Sequence, residues 1–367
     1  MRLLLTALMG LIMAACSSGE GTGGAALPAG DTITERSQLL TLVRRPGWTE
    51  ATVADPWHPG AAMARYALAD SGADADIPDG FTRVKVPLRR SIVYSSVHTA
   101  AIEELGATAA IAGVADGGYL PDTDSVKALL AAGKVRDIGS SMAPMVETVI
   151  DIAPDAVLLS PYENASRGGI EKSGATLIEM ADYMETSPLA RAEWMLLLGE
   201  LYGRPARARD IYDDVCTAYR ATAAKAAGRK DRPKVLTEIL TSGVWYVPAG
   251  QSYMARLLDD AGADYPWADT EGSGSLQLDE AAVIDRAADA DLWLIKAYAD
   301  TDARRIAADV PHARAFRAFP AGVRVCDTRH TSYFNDIAFH PERVLADMAA
   351  LFGGAPADSL RYFSPLQ

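Results

Sequence analysis

The side chains able to do chemistry in this chain sit just after short apolar runs, and they suit holding a molecule better than transforming one. Tyr94 and His98 close and follow the run that starts at Ser91, while Tyr162 and Glu163 come after Leu158-Leu159-Ser160-Pro161. Trp245 and Tyr246 follow the run 234–240, and Arg329, Tyr333 and Phe334 follow 323–326. Aromatic faces with a few polar anchors bury a large ligand and fix its orientation. Arg329 offers a planar fork for a carboxylate or the carbonyls of a chelate. Each has a plainer alternative: Trp245 and Phe334 could be core, and Arg329 could form a surface ion pair.

Other chemistries find less support. Five histidines (His58, His98, His312, His330 and His340) show no tight ligand spacing, so no metal-ion site is expected. H-E-x-x-H, G-x-S-x-G and G-x-x-x-x-G-K do not occur, and Gly272-Ser273-Gly274-Ser275 lacks the spacing of a nucleophile elbow. Catalysis is therefore not expected; a hydrolase would use cleft acids such as Glu163 with Glu238. Cys216 and Cys326 stand alone and are expected to be buried free thiols. Asn164-Ala165-Ser166 matches a glycosylation acceptor and carries little weight.

The third cysteine is different. Residues 1–15 carry Arg2 and then an apolar run, too short for the roughly 20 residues that cross a bilayer but fit for a secretory leader. Met13-Ala14-Ala15-Cys16 resembles the lipobox of bacterial lipoproteins, with Met where Leu is usual. That resemblance implies cleavage after residue 15 and a lipid on Cys16, followed by a flexible Gly/Ser tether over 16–36. The expected location is the cell envelope, held to a membrane by the lipid alone. Ser17 stands where an inner-membrane retention Asp would be, which points toward the outer membrane.

Composition bounds the rest. The 367 residues are 49% hydrophobic and 23% charged, ordinary for a globular body, with a net charge of −13. Lys and Arg are scattered, so no nucleic-acid partner is expected. Residues 37–90 alternate as strands, at 39–43, 63–68 and 81–87. From 91 to 187, short apolar strands (91–95, 111–114, 156–160) alternate with helices, the first over 99–105. Residues 188–227 read as a short helix and then a long one from Pro205, and 228–355 repeat the strand–helix alternation with strands at 234–240, 292–295 and 323–326. A final helix spans 341–352. The fold class is α/β with mostly parallel sheets.

From residue 91 onward the chain resembles the substrate-binding proteins of bacterial ABC importers for iron–siderophores, cobalamin and haem. The resemblance rests on several segments in order: Tyr94-Ser95-Ser96-Val97-His98-Thr99, Ile111-Ala112-Gly113-Val114, 152–158, 198–203 and Tyr333-Phe334-Asn335 through Leu345. It implies two Rossmann-like lobes joined by a long connecting helix (a class III periplasmic binding protein), here with a β-rich N-terminal extension. It also implies a monomer without intrinsic cofactor, capturing an iron chelate or corrinoid, with haem less expected, between the lobes. Delivery would be to the transmembrane permease subunits, which such proteins meet through one carboxylate per lobe. Asp259, with Asp260 beside it, falls at the second-lobe position; Ala100 stands at the first, so Glu103 or Glu104 would substitute. The rival readings are a free zinc or manganese binder of related fold, an exported hydrolase, and an interaction module built on residues 37–90.

Overall fold

The computed structural model describes residues 30–70, 72, 75–120, 125–163 and 167–366. The leader, Cys16, most of the tether and Asn164-Ala165-Ser166 lie outside the described residues.

The chain begins with a five-stranded sheet in sequential order: Asp31–Thr32, Leu40–Arg45, Trp48–Ala54, Ala62–Asp70 and Thr82–Val86. Its first hairpin turns at Pro46-Gly47, where proline supplies φ near −65° and Gly47 takes φ +81°, the residue pair a type II turn requires. The sequence reading had no strand at Trp48–Ala54, yet this is the middle strand, burying Trp48, Ala51 and Val53. The fourth and fifth strands pair in parallel and the first four antiparallel.

The first lobe holds an all-parallel sheet ordered Thr176–Glu179, Ala156–Leu159, Ser91–Val93, Ile111–Val114, Arg136–Asp137. Ser91–Val93 and Ala156–Leu159 are buried along their whole length, as central strands covered on both faces must be. Its first helix, Ser96–Glu104, is capped by the Ser95 side chain, which accepts from the Val97 N–H. In the second lobe Val235–Thr237, Leu292–Ala297 and Val323–Asp327 run parallel, and Phe363–Pro365 joins the edge antiparallel. A separate antiparallel sheet combines Leu240–Thr241, Val244–Pro248 and Ser275–Leu278.

Two expectations need correction. The run 234–240 is two strands, because Glu238 adopts φ +67° and turns the chain between them. The stretch before Pro205 is two short helices, Pro188–Ala192 and Met195–Leu201, broken at Glu193-Trp194. The long helix itself runs Pro205–Ala227, with proline in its first turn where a missing N–H costs nothing. Ala208, Tyr212, Val215 and Cys216 lie in the first-lobe core and Tyr219 in the second, so one helix face serves both lobes. Cys216 and Cys326 are buried and unpaired with each other.

The N-terminal sheet is fastened to the body by two buried carboxylates. Glu193 accepts the backbone N–H groups of Glu35, Arg36 and Ser37 at 2.8, 2.8 and 2.7 Å. Glu185 accepts those of Gln38 and Leu39, both at 3.2 Å, together with the Ser37 hydroxyl and the Trp194 indole N–H. Five consecutive amides, which a turning chain would otherwise leave without partners, are thus satisfied by charged acceptors. Glu193→Ala strands three of them and should lower unfolding stability by about 3 kcal/mol. Urea denaturation measures this, and a loss under about 1 kcal/mol would mean the sheet is held elsewhere.

Candidate functional site

A cavity of about 420 Å³ opens where the first-lobe strands end. This is the carboxyl edge of a parallel sheet, where successive loops diverge and leave a crevice. Tyr94 enters it from the end of Ser91–Val93, and Tyr162 and Glu163 from the loop after Ala156–Leu159. Arg167 and Glu171 add opposite charges, and Met142 and Ile170 add apolar surface. A second space of about 250 Å³ shares Tyr94, Ser141, Ser160 and Tyr162 with the first and extends it toward Ser95, Asp116 and Tyr119. The two form one recess that shares Tyr94, and its lining comes from the first lobe and the N-terminal sheet rather than from between the two lobes as the resemblance implies.

The N-terminal sheet closes the remaining side. Asp55, Trp57, His58 and Met63 line the same cavity, from the turn between Trp48–Ala54 and Ala62–Asp70 and the start of the latter. None of these four is among the residues expected at the site from sequence. The signal was the Asp-Pro-Trp-His-Pro-Gly turn, which sets a tryptophan and a histidine between two prolines where no core could use them.

Tyr94 is the most unusual group at the site. Its hydroxyl is buried and has no hydrogen-bond partner among the described residues. Burial, reinforced by the Asp116 and Glu171 carboxylates, pushes its phenol up to about 12, so it is a neutral donor at physiological pH. An unpaired buried hydroxyl costs about 1–3 kcal/mol, which a ligand's polar atom would recover. Tyr162 is exposed, its ring tilted against Tyr183 at 6.3 Å, and the Tyr183 hydroxyl donates to the Pro161 carbonyl at 2.5 Å.

The other sequence candidates lie elsewhere. His98 is 1% exposed and points into the protein, with Nε2 2.8 Å from Asp182, whose other oxygen takes Arg191 at 3.1 Å. Burial opposes the Asp182 charge, but His98 and Arg191 overcome it and hold the carboxyl low. Trp245 is core: its indole N–H donates to the Thr237 carbonyl at 3.0 Å and its ring packs on Trp293 and Phe316. Tyr333 is core as well, edge-on to Phe334, Tyr362 and Phe363. Tyr246 and Phe334 are exposed on the second lobe, and Arg329 lies on the turn after Val323–Asp327 beside His330; none of these lines the cavity. Glu238 pairs with Lys296 and shares no cavity with Glu163. Among the described residues no three His, Cys, Asp or Glu side chains are gathered to hold a bare metal ion.

The four docking candidates differ in what they already hold. Glu103 is exposed. Glu104 is half-buried and receives His340 Nε2, with Arg343 at 3.9 Å. Asp259 is exposed beside Arg232 at 2.6 Å, whereas Asp260 accepts from the Tyr219 hydroxyl at 2.8 Å and from Arg256 at 3.3 Å. The Glu104 contact brings the first helix of lobe one to the closing helix Pro341–Phe352. His340 also meets Glu342 through Nδ1 at 3.0 Å, and although burial opposes its charge, the two carboxylates raise it to about 9. A raised histidine stabilises fully below its unfolded value near 6.5 and loses that contribution as pH climbs through 9. Stability should therefore fall by about 2–3 kcal/mol between those limits. His340→Gln should flatten that slope in urea melts taken across the range; an unaltered slope would assign it to other groups.

Comparison with known proteins agrees with this architecture. The profile of the periplasmic binding protein family matches residues 92–322. An uncharacterised lipoprotein of Methanocaldococcus jannaschii is 27% identical over 294 residues, covering 77% of this chain and 69% of the relative. Among solved structures, a periplasmic haem-binding protein from Pseudomonas aeruginosa superposes with a TM-score of 0.59 at 17% identity, covering 76% of this chain and 98% of that one. An ABC-type Fe3+-hydroxamate transport protein from Saccharomonospora viridis gives 0.54 at 19%, over 73% and 94%. The vitamin B12-binding protein of Vibrio cholerae gives 0.52 at 12%, over 73% and 98%. At such identities these structures establish a shared fold.

Proposed function

The chain belongs to the periplasmic binding protein family, and on that premise we propose that it captures a metal chelate and delivers it to the permease of an ABC importer. The observation that carries the reading is the recess at the carboxyl edge of the first-lobe sheet. It presents aromatic and apolar surface (Tyr94, Tyr162, Met142) beside a few charged anchors (Glu163, Arg167, Glu171), the mixture that grips a large, partly polar small molecule. Structural neighbours named for haem, Fe3+-hydroxamate and vitamin B12 support chelates as the ligand class. Capture of this kind needs no bond to be made or broken, so no catalytic group is assigned.

Anchorage fits the same role. A lipid on Cys16, followed by a Gly/Ser tether, would keep the carrier in the cell envelope near its permease and raise its local concentration there. The lipoprotein relative supports this reading. For docking, Glu103 and Asp259 are the exposed acids at the ends of corresponding helices in the two lobes, and we assign the permease contact to them rather than to Glu104 and Asp260, which are held within the protein.

Absorbance of the purified protein, before and after titration with hemin, aquocobalamin and a ferric trihydroxamate, tests the assignment. Stoichiometric binding of at least one is expected; indifference to all three together with tight Zn2+ or Mn2+ binding would replace the reading with a free-metal carrier. Asp259→Lys should reduce uptake in cells about tenfold or more while leaving chelate affinity within twofold, because like charges across a docking surface repel at a distance from the ligand. Lost affinity in that variant would instead place Asp259 in the binding machinery.

A further inference from the structure

The turn that closes the cavity belongs to residues 30–90, before the segment matched by the family profile, which begins at 92. It is built to present one side chain. Asp55 Oδ1 accepts the backbone N–H groups of Trp57 at 2.9 Å and His58 at 3.1 Å, which fixes the carboxylate. The other oxygen, Oδ2, stands 3.0 Å from His58 Nδ1. With Oδ1 already engaged by two amides, Oδ2 is left to orient the imidazole through Nδ1. The other ring nitrogen, Nε2, has no hydrogen-bond partner among the described residues, on a ring that lines the cavity opposite the first-lobe strands. A carboxylate holding the far nitrogen of an imidazole is the arrangement by which proteins aim a histidine at a metal and raise its basicity.

Resting on the reading of the chain as a chelate carrier, we propose that the Asp55–Ala61 turn is a wall of the ligand site and that His58 donates Nε2 to the metal of the captured chelate. This selects a class of ligand: complexes whose metal has an exchangeable coordination position, such as a porphyrin or corrin, over those whose six positions are already filled. Tyr94, whose buried hydroxyl has no partner among the described residues, serves as a hydrogen-bond donor to the periphery. Trp57, on the same turn, supplies a flat apolar face to the macrocycle.

Titrations of the full soluble chain with hemin, aquocobalamin and a ferric trihydroxamate lacking an open position test the assignment. His58→Ala should weaken hemin or aquocobalamin binding at least about tenfold and change the visible spectrum of the complex, with the spectrum returning when free imidazole is added. Asp55→Asn should weaken it by about tenfold through loss of aim. The His58 side chain is 76% exposed, so its removal leaves the fold intact, which thermal melting verifies. Hemin or aquocobalamin binding with unchanged affinity and spectrum in His58→Ala overturns the inference alone. Binding of only the trihydroxamate also overturns it while leaving the carrier reading in place. Binding of none of the three overturns both.

Discussion

Two buried carboxylates, Glu185 and Glu193, fix where everything at the N-terminal end of the molecule must lie. The segment 35–39 turns from the first strand of the N-terminal sheet into the second, and all five of its amides donate to these two side chains. A carboxylate out of water is tolerated only when its lone pairs are filled, and amides in a turn only when each has an acceptor. Each solves the other's problem. Because both glutamates flank the short helix Pro188–Ala192, which leads toward the connecting helix, the sheet is registered against the body. The turn at 55–61, some twenty residues on, therefore meets the first-lobe cavity at a defined place.

Tyr66 reinforces that registration from the other end of the sheet. Its hydroxyl accepts the Glu179 N–H at 2.9 Å, tying Ala62–Asp70 to the edge strand Thr176–Glu179 of the first lobe. Glu179 in turn pairs with Arg167, which lines the cavity. The lobes are joined by equally local means. The helix Pro205–Ala227 contributes to both cores, and the Glu104–His340 contact braces the first helix of one lobe against the closing helix of the other. These attachments join the lobes, whereas the cavity is lined by the first lobe and the N-terminal sheet alone, so binding there need not reorganise one lobe against the other.

The α/β alternation was legible because buried parallel strands are short apolar runs and helices carry their own stop signals. Gly106 and Gly262, at φ +72° and +85°, end corresponding helices as expected of glycine after a last turn. The helix Pro341–Phe352 was readable to the residue, with proline opening it and a glycine after it. What escaped was decided by distant contacts. Trp48–Ala54 looks like connecting chain until neighbours on both sides pair with it, and the break at Glu238 depends on one backbone angle. Tyr94, Tyr162 and Glu163 come together at the cavity because position after a buried strand is a topological property. Trp245, Tyr333 and His98 shared that position but turned inward, and aromatic type alone does not encode which way a side chain faces. A site role for His58 is not legible in the sequence, because the surface it faces comes from Tyr94, Ser141 and the 159–171 segment, far along the chain.

The cost of the recess argues for its use. Packing a buried phenol without a partner, keeping Trp57 in an open turn and setting Glu163, Arg167 and Glu171 around a cavity each sacrifice stability that an apolar filling would have gained. Four other buried tyrosines, Tyr66, Tyr202, Tyr265 and Tyr362, have partners for their hydroxyls. Tyr94, by contrast, is left unsatisfied at the cavity, where a ligand would arrive. The same selectivity appears at Asp55, a carboxylate whose three hydrogen bonds all serve to hold one turn and one imidazole in position. Strain-free folding would not require either arrangement; recognition of a polar molecule with a reactive centre would require both.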